Sequence, residues 1–126
     1  MLELEKIIPK KIPVRQLRVA ELIKEIVAEA IVQRKVDAAV LENNFISVSK
    51  VKVSPDLHNA TIFVTIFQTS EVKNVLRDLN KLAPKFRVII NKNIQLKSSP
   101  QIIFRYDDTS EHVDKINALL NSIKED

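Results

Sequence analysis

The sequence predicts an α+β fold of two layers, a three-stranded sheet with its helices on one face, in the order helix, strand, strand, helix, kinked helix, strand, helix. Three observations predict it. Apolar residues recur at helical spacing in four stretches and with strand character in three others. Breaker residues fall between those stretches: Asn43-Asn44, Ser54-Pro55-Asp56, Pro84 and Ser98-Ser99-Pro100. At 126 residues and 45% hydrophobic composition, the chain has the size of one domain. Folding a chain of this length buries about two-thirds of the surface exposed when unfolded, enough for a core without disulfides or metals.

Residues 1–13 show no clear periodicity and are interrupted by Pro9 and Pro13, which predicts an extended, flexible arm. Residues 14–126 are read as a single domain, with Pro13 as the start signal of its first helix. That helix runs to about residue 34. Leu17, Leu22, Ile23, Ile26, Val27, Ala30 and Ile31 make its apolar face, and Glu21, Glu25 and Glu29 line a solvated one. Residues 36–44 read as a connector.

Residues 45–53 carry the Val and Ile enrichment of a strand, but with a break in phase. Ile46 and Val48 share one parity and Val51 and Val53 the other. A strand cannot bury both sets on one face, because its side chains alternate with a period of two. A β-bulge at Ser49-Lys50 reconciles them. Residues 54–59 are a turn, and residues 60–67 are the second strand of a hairpin, with Ala60, Ile62, Val64 and Ile66 on one face and Thr61, Phe63, Thr65 and Phe67 on the other.

Ser70 is a candidate helix cap. The helix from Glu71 presents Val72, Val75, Leu76, Leu79 and Leu82. Pro84 cannot continue it regularly, so a kink is expected at Ala83-Pro84 before Phe86, Ile89, Ile90 and Ile94 restart the period. Residues 101–106 form the third strand. Asp107-Asp108-Thr109-Ser110 starts a closing helix whose stripe is Val113, Ile116, Leu120 and Ile123. Phe45, Phe63, Phe86 and Phe104 sit in core-like patterns, while Phe67 and Tyr106 lie at strand ends.

Composition excludes several chemistries. The chain has no cysteine, which removes disulfides, thiolate metal sites and cysteine nucleophiles. It has no glycine, so neither a phosphate-binding loop nor a dinucleotide fingerprint can be built. No apolar run approaches the ~20 residues of a membrane span, and residues 1–11 lack the apolar stretch of a signal peptide. The expected location is cytoplasmic, with no membrane partner, small-molecule substrate or cofactor.

The net charge of +4 is unevenly distributed. Residues 6–20 hold five cations and residues 79–106 hold six, with no acid in either segment, whereas residues 107–126 are net −4. Such segregation is the footprint of a polyanionic partner. In the second segment, the helix restarting near Lys85 offers N–H groups that favour an anion, flanked by Lys81, Lys85 and Arg87. Lys92 and Lys97 extend this RNA-binding surface, and Lys11, Arg15 and Arg18 join it if the first helix packs alongside. With aromatics at only 5%, recognition by shape and phosphate is expected over base reading. Adjacent Asp107 and Asp108 more often end a strand and cap a helix than act in catalysis, and His58 and His112 have no companion ligands. A catalytic set is not expected.

The element order is similar to a type II KH domain. The residues further resemble the ribosome-binding factor A family. The likeness runs through Arg15-Gln-Leu-Arg-Val, Val48-Ser-Lys-Val-Lys-Val-Ser-Pro-Asp-Leu, Ala60-Thr-Ile-Phe-Val, Leu79-Asn80, Phe86-Arg-Val-Ile-Ile-Asn-Lys92, Leu96-Lys-Ser-Ser-Pro100 and Phe104-Arg-Tyr-Asp-Asp-Thr-Ser110, over about residues 15–123. It implies a bacterial assembly factor that binds the immature small ribosomal subunit, contacts its rRNA among ribosomal proteins, supports late maturation and 5′-end processing, aids growth in the cold, and is a monomer when free. Pro84 stands where the family has a glycine, and Gln95 where it has an arginine. A generic KH-like binder of single-stranded RNA is the alternative, and its missing inter-helix glycines count against it. A processing nuclease and a protein–protein adaptor complete the candidates.

Overall fold

The structure, a computed structural model, describes residues 12–108. The N-terminal arm up to residue 11 and the closing helix, with its Thr109-Ser110 start, lie outside the described residues. The described elements are α1 (Val14–Val32), α2 (Ala39–Asn43), β1 (Phe45–Val53), β2 (Asn59–Phe67), α3 (Val72–Asn80), α4 (Ala83–Asn93) and β3 (Gln101–Tyr106). The sheet order is β1-β2-β3, with β1 and β2 antiparallel and β2 and β3 parallel. Helices α1, α3 and α4 pack on one face of this sheet, so the α+β two-layer architecture is as expected.

The bulge is where the phase break put it: Val48 pairs with Val64 and Lys50 with Phe63, leaving Ser49 without a partner in the ladder. One inserted residue turns Ile46, Val48, Val51 and Val53 all toward the helices. They meet Ala60, Ile62, Val64 and Ile66 from β2 and Ile102 and Phe104 from β3. Ile23, Val27 and Ala30 of α1, Leu79 of α3, and Phe86 and Ile90 of α4 close the core from the other layer. Phe86 and Phe104 meet edge to face with centroids 5.3 Å apart.

Five local expectations need correction. The connector contains a short helix, α2. Ser70 is not the cap of α3. Glu71 is, without a side-chain cap bond, and the Glu71 N–H donates instead to Thr69 Oγ at 3.0 Å. The break between helices falls at Lys81-Leu82, not at Ala83-Pro84. Pro84 is the second residue of α4, where a missing N–H breaks no helical bond, so it helps to begin α4 and does not bend an existing helix. Ile94 caps α4 in an extended conformation and does not extend it. Phe45 and Phe63 leave the core: Phe45 is 73% exposed, and Phe63 is half-buried on the face of the sheet away from the helices.

The absence of glycine shows in the backbone. Arg34, Leu57 and Gln68 take left-handed conformations that glycine ordinarily fills. At Leu57 the turn is held locally, with Asp56 Oδ1 accepting from Ser54 Oγ at 2.6 Å and from the His58 N–H at 3.0 Å. These hydrogen bonds, that of Ser54 first, lower the pKa of the Asp56 carboxyl below its ordinary value.

Candidate nucleic-acid interface

The cations of the helical layer are placed by two junctions. Gln16 Nε2 donates to the Val53 carbonyl at 2.6 Å, fixing the start of α1 at the end of β1. Beyond the end of α1, Lys35, Val36 and Asp37 line a shallow cavity of about 340 Å³ with Lys85, Val88 and Ile89 of α4. Because α4 starts beside the end of α1 and packs along it, the two helices run antiparallel. Lys92, at the far end of α4, therefore points back toward the end of α1 that bears Arg15 and Arg18.

Lys85 and Lys92 are seven residues apart, so they share one helix face about 10 Å from each other along the axis. Val88, 53% exposed, lies between them. Arg15, Arg18, Lys85, Lys92 and Lys97 are all exposed, and none forms an ion pair with another described residue. The other three expected contributors differ. Lys81 Nζ lies 3.7 Å from Asp78 Oδ1, which also receives Arg77 Nε at 3.7 Å. Asp78 ends just ahead of the acid-free segment, so counting charge along the chain hid it. Arg87 is half-buried and serves the fold: its Nε donates to Ser99 Oγ and its NH2 group to the Ser99 carbonyl, both at 3.3 Å. Asn91 Nδ2 donates to the same Ser99 Oγ at 2.8 Å, so the loop before β3 is tied to α4. Lys11 lies outside the described residues.

The α4 N-terminus does not offer the array of free N–H groups expected for it. Pro84 has none, and the N–H groups of Lys85 and Phe86 both donate to the Leu82 carbonyl, at 2.9 and 3.2 Å. The Leu82 N–H is taken by the Leu79 carbonyl at 3.0 Å. An anion at this corner would meet the Lys85 side chain and not a backbone cradle.

The sequence left Lys50 and Lys52 balanced between RNA contacts and an exposed strand face, and did not show that Phe63 and Arg105 stand beside them on one cationic side of the sheet. Lys50, Phe63 and Arg105 form one row across the three strands, and Lys52, Thr61 and Ile103 the next. The mixed parity set Thr61, Phe63, Thr65 and Phe67 was the signal available, since a face alternating Thr with Phe departs from an all-apolar core pattern; Thr61, Phe63 and Phe67 are half-buried and Thr65 is buried. At the upper end of this face, Asp107 is buried and its Oδ2 lies 2.6 Å from Ser49 Oγ of the bulge, so Asp107 is a structural partner of the bulge residue. No group of three or more His, Cys, Asp or Glu residues suited to a metal occurs among the described residues, and no described helix is long and apolar enough to cross a membrane.

The chain is similar to proteins already known. The family model described as ribosome-binding factor A matches residues 15–120. Ribosome-binding factor A of Halothermothrix orenii is 35% identical over 113 residues, covering 89% of this chain and 90% of the relative. The solution structure of a Thermotoga maritima protein proposed as a ribosome binding factor A superposes with a TM-score of 0.65 at 25% identity, covering 80% of this chain and 95% of that one. Coordinates of Thermus thermophilus ribosome binding factor A, fitted into the electron cryo-microscopy map of a 30S complex, share the fold with a TM-score of 0.57 at 20% identity, over 71% of this chain and 92% of the other. A family-model match over residues 15–120, with a relative 35% identical over most of both chains, makes this chain a member of the ribosome-binding factor A family.

Proposed function

We propose that the chain binds the immature small ribosomal subunit through phosphates of its rRNA and supports late maturation, including processing of the rRNA 5′ end, without catalysing a step itself. The observation that carries this reading is the set of exposed cations that form no ion pair among the described residues: Lys85 and Lys92 of α4, Lys97 after it, and Arg15 and Arg18 of α1. The 30S complex of the Thermus relative supports the choice of subunit. Lys11 and Lys81 join the surface, Lys81 by turning from Asp78 when a phosphate competes. The protein acts as a cytoplasmic monomer, contacting neighbouring ribosomal proteins where it sits, and its value is greatest in the cold, when misfolded rRNA escapes slowly. Residues 14–126 serve as the binding domain and residues 1–13 as an arm.

A KH-like grip on single-stranded RNA at the inter-helix corner is disfavoured, because Pro84 has no N–H and those of Leu82, Lys85 and Phe86 are already used. Co-sedimentation with immature small subunits over a salt series tests the proposal. Binding at low salt that weakens steeply as salt rises is expected, since each neutralised phosphate releases counterion. Substituting Lys85 and Lys92 by Gln should flatten the dependence by close to two contacts. No binding at low salt would refute the proposal.

A further inference from the structure

We infer a second RNA site, on the face of the sheet opposite the helices, that takes an unpaired strand by stacking one base on Phe63. It lies apart from the helical surface and is argued from different residues. Phe63 sits at the centre of the three-stranded sheet, on β2, half-buried and turned away from the core. Its ring carries two ammonium groups, Lys50 Nζ at 4.9 Å and Lys52 Nζ at 5.8 Å from the centroid. On its other side its register partner is Arg105, exposed on β3. Ile103, 47% exposed, and Thr61 continue the surface in the next row, roughly 7 Å away.

At its centre this face therefore presents a flat aromatic ring with three cations around it. Its only described acid, Asp107, is buried at the upper edge against Ser49. An apolar partner protein would leave those three charges desolvated and unpaired, which is costly. A nucleic-acid strand satisfies both features, with its base on the ring and its phosphates beside the lysines and arginine. A duplex cannot, because its bases are already stacked. The lysines over the ring present no obstacle. Exposed cation–π contacts are weak, so the ammonium groups can swing outward to phosphates as the base arrives. Phe45 and Phe67, edge to face at 5.7 Å, lie on the same side at the far strand ends, beyond the buried Thr65.

The test uses the full chain and a short unstructured RNA of about ten nucleotides, with an abasic oligonucleotide of equal length beside it. Backbone amide shifts of Thr61, Phe63 and Ile103 report the site by NMR, and fluorescence anisotropy of labelled RNA reports affinity. The RNA should perturb those three residues and the abasic strand should bind at least fivefold more weakly, because stacking on an aromatic is worth ~1–3 kcal/mol per base. Phe63→Leu, which keeps an apolar side chain on an exposed face, should lose a similar factor for the RNA and little for the abasic strand. Its folding is checked by an unchanged amide spectrum away from the sheet. Equal binding of the two oligonucleotides, or shifts confined to α1 and α4, would overturn the inference. So would a concentration-dependent dimer that Phe63→Leu abolishes, or displacement of the RNA by a peptide of residues 109–126, since either would make the face a protein site. The readouts do not involve ribosomal subunits, so failure here leaves the small-subunit reading standing, and the reverse.

Discussion

Asn80 gives β3 part of what a fourth strand would give. Its Nδ2 donates to the Phe104 carbonyl at 3.0 Å and its Oδ1 accepts from the Phe104 N–H at 2.7 Å, while the same Nδ2 reaches the Leu76 carbonyl at 3.1 Å. One side-chain amide thus pairs the outer edge of the sheet and closes α3 onto it. Exposed strand edges invite wrong pairing, so this contact protects as well as fastens. Asn80→Ala leaves the Phe104 N–H and carbonyl without partners in a half-buried site. A stability loss of about 2 kcal/mol is expected, read from the urea midpoint with an unchanged slope. The Leu79-Asn80 pair was legible in the sequence as part of a likeness, but its mechanism was not, because residue 104 is 24 positions away and no local pattern links the two. Phe63 shows the same limit from the other side. Its strand was readable, but which parity faced the helices for an aromatic among threonines depends on the register with β1 and β3.

At the scale of the element, the end of α1 shows what a glycine-free chain does at a helix terminus. The Lys35 N–H donates to the Ala30 carbonyl at 2.9 Å and the Arg34 N–H to the Ile31 carbonyl at 3.2 Å, the paired bonds of a Schellman ending. The left-handed residue that this ending requires is Arg34, with φ of 53°. A side chain there costs roughly 1–2 kcal/mol in backbone sterics relative to a right-handed turn. Arg34→Gly should therefore stabilise the protein by about 1 kcal/mol, visible as a higher thermal midpoint. An unchanged or lower midpoint would mean that the Arg34 side chain contributes contacts that outweigh the backbone cost. Helix periods, the bulge and all three strands were readable because periodicity is a local property. The helix break was displaced by two residues for a physical reason. Proline is a poor interior residue but a good first-turn residue, and the sequence does not say which of these roles Pro84 fills until the partner of the Leu82 carbonyl is known.

At the scale of the molecule, charge and topology act together. The antiparallel packing of α1 and α4 brings Lys92 toward Arg15 and Arg18 and leaves Lys85 at the other end, so the helical layer carries cations along its length and not in a single cluster. The two acid-free segments pointed to a polyanion partner, but their linear boundaries concealed Asp78 beside Lys81 and Asp37 beside the Lys85 cavity. They also counted Arg87 as free when Ser99 holds it. Arg87→Ala should therefore loosen the loop before β3 more than it weakens RNA binding.

The central claim is that the exposed cations of α1 and α4 meet ribosomal phosphate. Lysine acylation footprinting of the chain, free and bound to immature small subunits, tests it most directly. Protection of Lys85, Lys92 and Lys97 on binding, with Lys73, exposed in the first turn of α3, staying reactive, is the predicted result. Binding that leaves Lys85, Lys92 and Lys97 as reactive as in the free protein would contradict the account.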